Sequence, residues 1–328
     1  MRHVLIAAVL ALAALPALAA EDDIVLRGMG SFHVGGRIAE VSGRPVREIV
    51  RIPGGPPSKL DPNGQFMVEQ MYVQYFLPRQ RKGKLPLLMW PDGREGWLNL
   101  FVRKGWDVYV SDAVERGRAG FASPDVWPSE PIFLNYADPF ERFRIGDGEG
   151  SWAADPAKRR VLPGSQFPVE AYDNYMKQAV PRWLSTDKAI VDAYVALVDK
   201  VCPCVLLLHS QGGAFGFKVA EQRPDKVKAI VAVESASAGD VGKAAALKNT
   251  PTLMLFGDYV DQHPRWAAYK KIDLEYAAAI RAGGGTVDVI NLPDVGIRGN
   301  SHMLMQDKNN ADIADVIQTW MVGKGLVE

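Results

Sequence analysis

Ser210 stands where a serine can become a nucleophile. The apolar run Val205-Leu206-Leu207-Leu208 leads through His209 to it, and Gln211-Gly212-Gly213-Ala214-Phe215-Gly216 follows as a glycine-rich helix start. A buried strand, a sharp turn and a helix form an elbow that lifts a serine hydroxyl above the edge of a sheet. Glycines after the turn let helix and strand approach closely. The helix N-terminus then offers the free N–H of Gln211 to a developing oxyanion. The first small residue of the G-x-S-x-G pattern is replaced by Leu208, so the match is loose at one position.

Such a serine needs an imidazole, and in folds with this elbow the chain order is serine, acid, histidine. Of the five histidines, His3 lies in the N-terminal leader, His33 precedes the relevant strands, and His209 adjoins the serine with its side chain expected to point elsewhere. His263 and His302 remain. His302 sits in Arg298-Gly299-Asn300-Ser301-His302-Met303, a loop between the last strand and the terminal helix, and is the expected base. Position leaves the acid open. Asp258 and Asp261 follow the strand Thr252–Phe256, the usual place, where capping of the helix ahead of Pro264 explains them equally well. Glu234 ends the apolar strand Ala229–Val233, where a carboxylate is costly unless it meets a partner such as an imidazole N–H.

The elements that must position these groups read as alternating strands and helices. Early strands are expected over 30–38 and 70–77, with a surface loop between them at 53–64, where four prolines and three glycines cluster. Further strands are expected over 85–90, 106–112, 205–210, 229–234, 252–256 and 287–292, and helices over 214–222, 262–282 and 310–321. This rhythm implies a mostly parallel sheet flanked by helices on both faces. The stretch 120–184 breaks it with aromatics and prolines and is expected to be a cap over the site, lining an apolar acyl or aryl pocket; the alternative is an excursion whose aromatics pack on one another.

Composition narrows the function. The chain has 328 residues, 48% of them hydrophobic, enough for one large domain over 20–328. Lysine plus arginine equals aspartate plus glutamate at 38 each, so no global field favours nucleic acid or anionic lipid. Arg2 and His3, the apolar residues Val4 to Leu15, then Pro16 and Ala17-Leu18-Ala19 read as a cleavable signal over 1–19. The mature chain is expected in the periplasm or outside the cell, with no stable membrane insertion once the signal is removed. Export permits a Cys202–Cys204 disulfide, though a bridge across one residue is strained; two free thiols packed as small hydrophobes are the equal alternative. With no HExxH and no second cysteine pair, neither zinc nor any other metal is expected.

Four motifs in order, Gly30-Ser31-Phe32-His33-Val34-Gly35-Gly36-Arg37, the His209–Gly213 elbow, Val233-Glu234-Ser235 and Gly299-Asn300-Ser301-His302-Met303, resemble a secreted bacterial esterase group of the α/β-hydrolase superfamily. The resemblance runs across most of the mature chain. It implies a Ser-His-Glu triad of Ser210, His302 and Glu234, the glutamate following the sixth strand rather than the seventh, with Asp261 the alternative acid. It also implies carboxylic ester substrates and a homodimer, and acyl transfer through such a triad requires no cofactor. Where that group carries His-Gly and paired cysteines after the third strand, this chain has Trp90-Pro91-Asp92-Gly93. The loop supplies the second oxyanion donor. Pro91 lacks an N–H, so Asp92 or Gly93 is expected to partner Gln211, and Trp90 to wall the pocket or join the core. A triad of this kind also suits lactones or amides. An inactive binding protein is disfavoured, because serine, acid and histidine all occur in order.

Overall fold

The computed structural model describes residues 24–50, 57–89 and 96–328. In chain order the elements are β1 Leu26–Val41, β2 Arg47–Val50, β3 Pro57–Leu60, β4 Gly64–Pro78, β5 Leu87–Met89, α1 Trp97–Arg103, β6 Val108–Asp112, α2 Ala137–Arg142, α3 Tyr172–Met176 and α4 Asp187–Val201. Then follow β7 Cys204–His209, α5 Gln211–Gln222, β8 Val227–Val233, β9 Thr252–Phe256, α6 Pro264–Ala282, β10 Val287–Asn291 and α7 Asn310–Gly323. Eight strands form one sheet in the order β1-β4-β6-β5-β7-β8-β9-β10. β4 runs antiparallel to both of its neighbours, and every other pair in the sheet is parallel. This is the mostly parallel, helix-flanked α/β sheet that the sequence implied.

The expected loop over 53–64 is in part a strand. β3 pairs with β2 in a two-stranded ribbon, Arg47 opposite Leu60 and Glu48 opposite Lys59. Both strands of such a ribbon are edges, and an edge tolerates the prolines that argued for a loop.

The alternation of β7 shows how the core is divided. Cys204, Leu206 and Leu208 face one layer, with Ile190, Tyr194 and Leu197 of α4, Phe217 of α5 and Tyr276 of α6. Val205 and Leu207 face the other, with Phe101 of α1 and Ile313, Ile317 and Met321 of α7. The strands are apolar on both faces because both are covered. Cys202 and Cys204, joined by a disulfide, link the end of α4 to the start of β7.

The strand order reverses between β5 and β7. The chain steps from β5 to β6 on one side, then returns through residues 113–186 and α4 to add β7 on the other. In open parallel sheets such a reversal leaves a crevice beyond the carboxyl ends of the strands, and β7 ends there at His209. The turn into α5 is tight. A Cβ on Gly216 would lie 2.3 Å from Leu208, and one on Gly213 would lie 2.0 Å from the Ser235 hydroxyl. Gly216→Val should therefore force α5 off the sheet and cost about 1–3 kcal/mol of stability, read as a lower urea midpoint with an unchanged slope.

Candidate functional site

Ser210 has φ 53° and ψ −127°, a left-handed conformation costly for a serine. The hydrogen bonds Ser210 N–H to Val233 C=O (3.2 Å) and Ala236 N–H to Ser210 C=O (2.9 Å) hold it there. α5 begins at Gln211, directly after the turn, so the first N–H groups of the helix have no acceptor within it.

Glu234 follows β8 and is likewise left-handed, with φ 42°. Its side chain is buried and fully engaged. Oε2 lies 2.7 Å from His302 Nδ1. Oε1 accepts from Arg144 Nη2 at 2.5 Å and from the Gly257 N–H at 2.9 Å. Gly257 has to be glycine, since a Cβ there would sit 2.7 Å from Glu234 Oε1. Burial alone would raise this carboxyl, but the Arg144 charge and the His302 contact outweigh it and bring it down to about 2.

The loop carrying His302 is fixed from three sides. The Gly299 N–H donates to Asp258 Oδ2 at 2.9 Å. The Asp307 carboxylate accepts from the Ser301 N–H at 2.9 Å and the Ser301 hydroxyl at 2.7 Å. The His302 N–H donates to the Phe143 carbonyl at 2.8 Å. The imidazole lies between rings, with centroids 3.8 Å from Trp266, 4.4 Å from His209 and 5.1 Å from Phe143. Burial, together with the neighbouring His209 and Arg144, lowers its basicity despite the Glu234 carboxylate, to about 3. Nε2 is buried and has no hydrogen-bond partner among the described residues.

Ser210 and His302 line one cavity of about 290 Å³ together with Gln211 and His209. The sequence-derived residues Ser210, Gln211, Glu234 and His302 are thus gathered at one end of the sheet. Asp261 is not gathered with them. Its side chain is 73% exposed and pairs with Lys270 at 2.8 Å. Asp258, the other aspartate after β9, pins the histidine loop and makes no contact with the ring. Trp90, Asp92 and Gly93 lie outside the described residues, as does the leader over 1–19.

The insertion supplies apolar residues to the cavity, among them Leu134, Pro139, Phe143, Met176 and Val180, beside charged ones. Its aromatics mainly pack on one another: Tyr172 meets Phe140, Phe167 and Tyr175, and Phe121 stacks on Trp183. Phe143 and Tyr175 reach the cavity, and beside them are Arg142 and Arg182, with Arg116 from the segment after β6. Sequence reasoning did not single out Arg144, Trp266 or these three arginines. Arg142 has a local i,i+4 partner in Asp138, but the partners of Arg144, Trp266, Arg116 and Arg182 are brought together only by the fold. The His209 ring, expected to point away, lies beside the His302 ring, and its Nε2 donates to the His302 carbonyl at 2.8 Å.

No family model matches the chain. A solved bacterial esterase superposes with a TM-score of 0.77 at 32% sequence identity, covering 92% of this chain and 97% of that one. A probable secreted lipase, phiG of Fungal sp. (strain ATCC 74256), is 23% identical over 330 residues, 79% of this chain and 87% of the lipase. The chain belongs to the α/β-hydrolase superfamily, in the esterase group represented by that bacterial enzyme. No helix among the described residues is long and apolar enough to cross a membrane.

Arg144 is the partner that Glu234 cannot lose without leaving a buried charge exposed to no solvent. Arg144→Met should cost about 3–5 kcal/mol of stability at neutral pH. The cost should shrink as the pH falls far enough to protonate the carboxylate. An equal cost at every pH would mean that packing, not charge, holds Arg144 in place.

Proposed function

We propose that the chain is a serine esterase that cleaves carboxylic esters through an acyl-enzyme, with Ser210 as nucleophile, His302 as general base and acid, and Glu234 as the orienting carboxylate. The observation that carries this reading is the buried 2.7 Å contact between His302 Nδ1 and Glu234, which leaves Nε2 unpartnered at the cavity that Ser210 also lines. Membership of an esterase group and similarity to a secreted lipase support an ester as the substrate.

In the first half-reaction the Ser210 oxygen bonds to the ester carbonyl carbon as His302 Nε2 takes its proton. The carbonyl oxygen becomes an oxyanion facing the Gln211 N–H and a second donor from Asp92 or Gly93. The bond to the alcohol oxygen then breaks, and His302 returns the proton to that oxygen. Water repeats the sequence on the acyl-enzyme and releases the acid. Glu234, held ionised by Arg144, fixes the tautomer in which Nδ1 carries the proton. Each oxyanion donor contributes about 10²–10³ in rate. The insertion over 120–184 serves as a cap, since it closes one side of the cavity. The leader over 1–19 directs export, after which the mature chain works in the periplasm or outside the cell.

A fluorophosphonate probe should label the wild type and leave Ser210→Ala unlabelled; labelling of both would place the nucleophile elsewhere. On a chromogenic ester, Glu234→Gln should lower kcat by about 10²–10⁴, while Asp261→Asn keeps it. The reverse pattern would return the acid to the position after β9.

The pH profile offers an independent check. His302 acts as a base only when neutral, and its basicity is lowered in the folded protein. Activity is lost as pH falls through the folded value, so the acid limb of kcat/KM should lie below the ordinary histidine value of 6.5. A limb at or above that value would contradict a buried, electropositive setting for the ring.

A further inference from the structure

Arg116 and Arg182 converge on one neutral atom. Arg116 Nη2 donates to Gln211 Oε1 at 2.9 Å and Arg182 Nη1 donates to the same oxygen at 2.8 Å. Gln211 follows the proposed nucleophile directly, and all three side chains line the cavity that holds Ser210. Among the described residues neither guanidinium has a carboxylate within ion-pairing distance. A guanidinium carries five N–H donors. Arg182 Nε is buried with none of its hydrogen-bonding capacity used.

Both backbones are anchored, so the pair is built into the fold. Arg182 exchanges two hydrogen bonds with Ile132, N–H to C=O at 3.1 Å and the return at 2.8 Å. Arg116 follows Glu115, which is left-handed with φ 59°. The Glu115 carboxylate turns inward to accept the backbone N–H groups of Glu69 and Ala122. It is spent on backbone and unavailable to neutralise its neighbour. The third arginine of the cavity differs. Arg142 pairs with Asp138 at 2.6 Å and lies over the Phe143 ring.

Two half-buried cations sharing a neutral acceptor repel each other. Burial lowers the affinity of Arg116 for its proton, and the charge of Arg182 lowers it further. Such an arrangement is relieved by an anion, and the planar fork of arginine suits a carboxylate in particular. An entering carboxylate would be met by preorganised donors beside the reacting serine.

We infer that Arg116 and Arg182 form a carboxylate-recognition subsite, so that the preferred substrates are esters bearing a free carboxylate a few bonds from the scissile carbonyl, such as hemiesters of short dicarboxylic acids. The inference rests on the esterase reading for its substrate and on the arginine pair for its charge.

The test compares p-nitrophenyl hydrogen adipate with p-nitrophenyl hexanoate, which are matched in length and differ in charge. The wild type should show a higher kcat/KM for the adipate hemiester by about tenfold to a hundredfold, falling as salt is raised. The ratio of the two kcat/KM values, rather than either alone, should drop about tenfold in Arg116→Gln and in Arg182→Gln, with Arg182→Lys recovering part of it. In parallel, calorimetry with free adipate and with hexanamide reads binding without turnover.

If both esters are cleaved with a ratio near one, and adipate does not bind, the subsite is refuted while the esterase reading stands. A normal ratio that both Arg→Gln variants retain also refutes it, since the arginines would then serve only to hold Gln211. If neither ester is cleaved but adipate binds the wild type and not Arg182→Gln, the subsite stands and the esterase reading falls.

Discussion

A carboxylate out of contact with water costs several kcal/mol unless its charge is matched and its lone pairs are filled. Glu234 meets that demand through Arg144, the Gly257 N–H and the His302 ring. The three donors come from three distant parts of the chain: the insertion, the end of β9 and the loop before α7. Each must therefore arrive at its place for the carboxylate to be tolerated at all. The charge network acts as a positional constraint on three segments, and only secondarily as a source of stability. It also explains the backbone. Glu234 leaves β8 in a left-handed conformation, and Gly257 gives up its side chain to let the carboxylate oxygen approach.

The insertion is part of this machinery rather than an accessory laid over it. Phe143 supplies the carbonyl that holds the His302 N–H, and its ring forms one wall of the imidazole pocket. Arg144, the next residue, neutralises Glu234 while its Nε donates to the Asp258 carbonyl at 3.0 Å. Asp258 in turn fixes the Gly299 N–H. A chain of contacts thus runs from the insertion through the turn after β9 to the histidine loop. Removing the insertion would strip the buried carboxylate of its counter-charge, so the two cannot be separated energetically.

Much of the framework was legible in the sequence because it depends on local rules. The strands β7, β8 and β9 are short apolar runs bounded by polar turns, and the elbow announces itself through Ser210 and the glycines that follow. Boundaries shifted where the local rule was weak: α5 begins at Gln211 instead of Ala214 because the elbow enters its helix without a connecting loop. The helix α4, absent from the helices read in the sequence, has an apolar stripe of Ile190, Tyr194, Leu197 and Val198, but it follows directly on the irregular insertion, which masked its start. Glu234 and Asp261 could not be separated by position alone, since both follow apolar strands. What separates them is three-dimensional: one lies inside a ring of donors, the other on the surface beside Lys270. Aromatic density over 120–184 suggested an apolar wall, and Phe143 and Tyr175 do line the cavity, while other aromatics of the insertion, such as Phe140, Phe167 and Tyr172, pack on one another.

Net charge misleads in the same way. An even balance of acids and bases says only that the far field is weak, and it carries no information about a cavity a few ångströms across. Within this cavity the arginines have distinct fates. Arg142 is neutralised by Asp138, one turn away on the same helix, and Arg144, just behind the wall, is neutralised by Glu234. Arg116 and Arg182 come from different segments and share a glutamine amide, with no carboxylate within ion-pairing distance among the described residues. Local neutralisation is cheap for evolution to arrange along one helix, where a carboxylate four residues away suffices. Its absence at a converging pair, among the described residues, leaves two guanidinium groups beside a serine held in a strained turn.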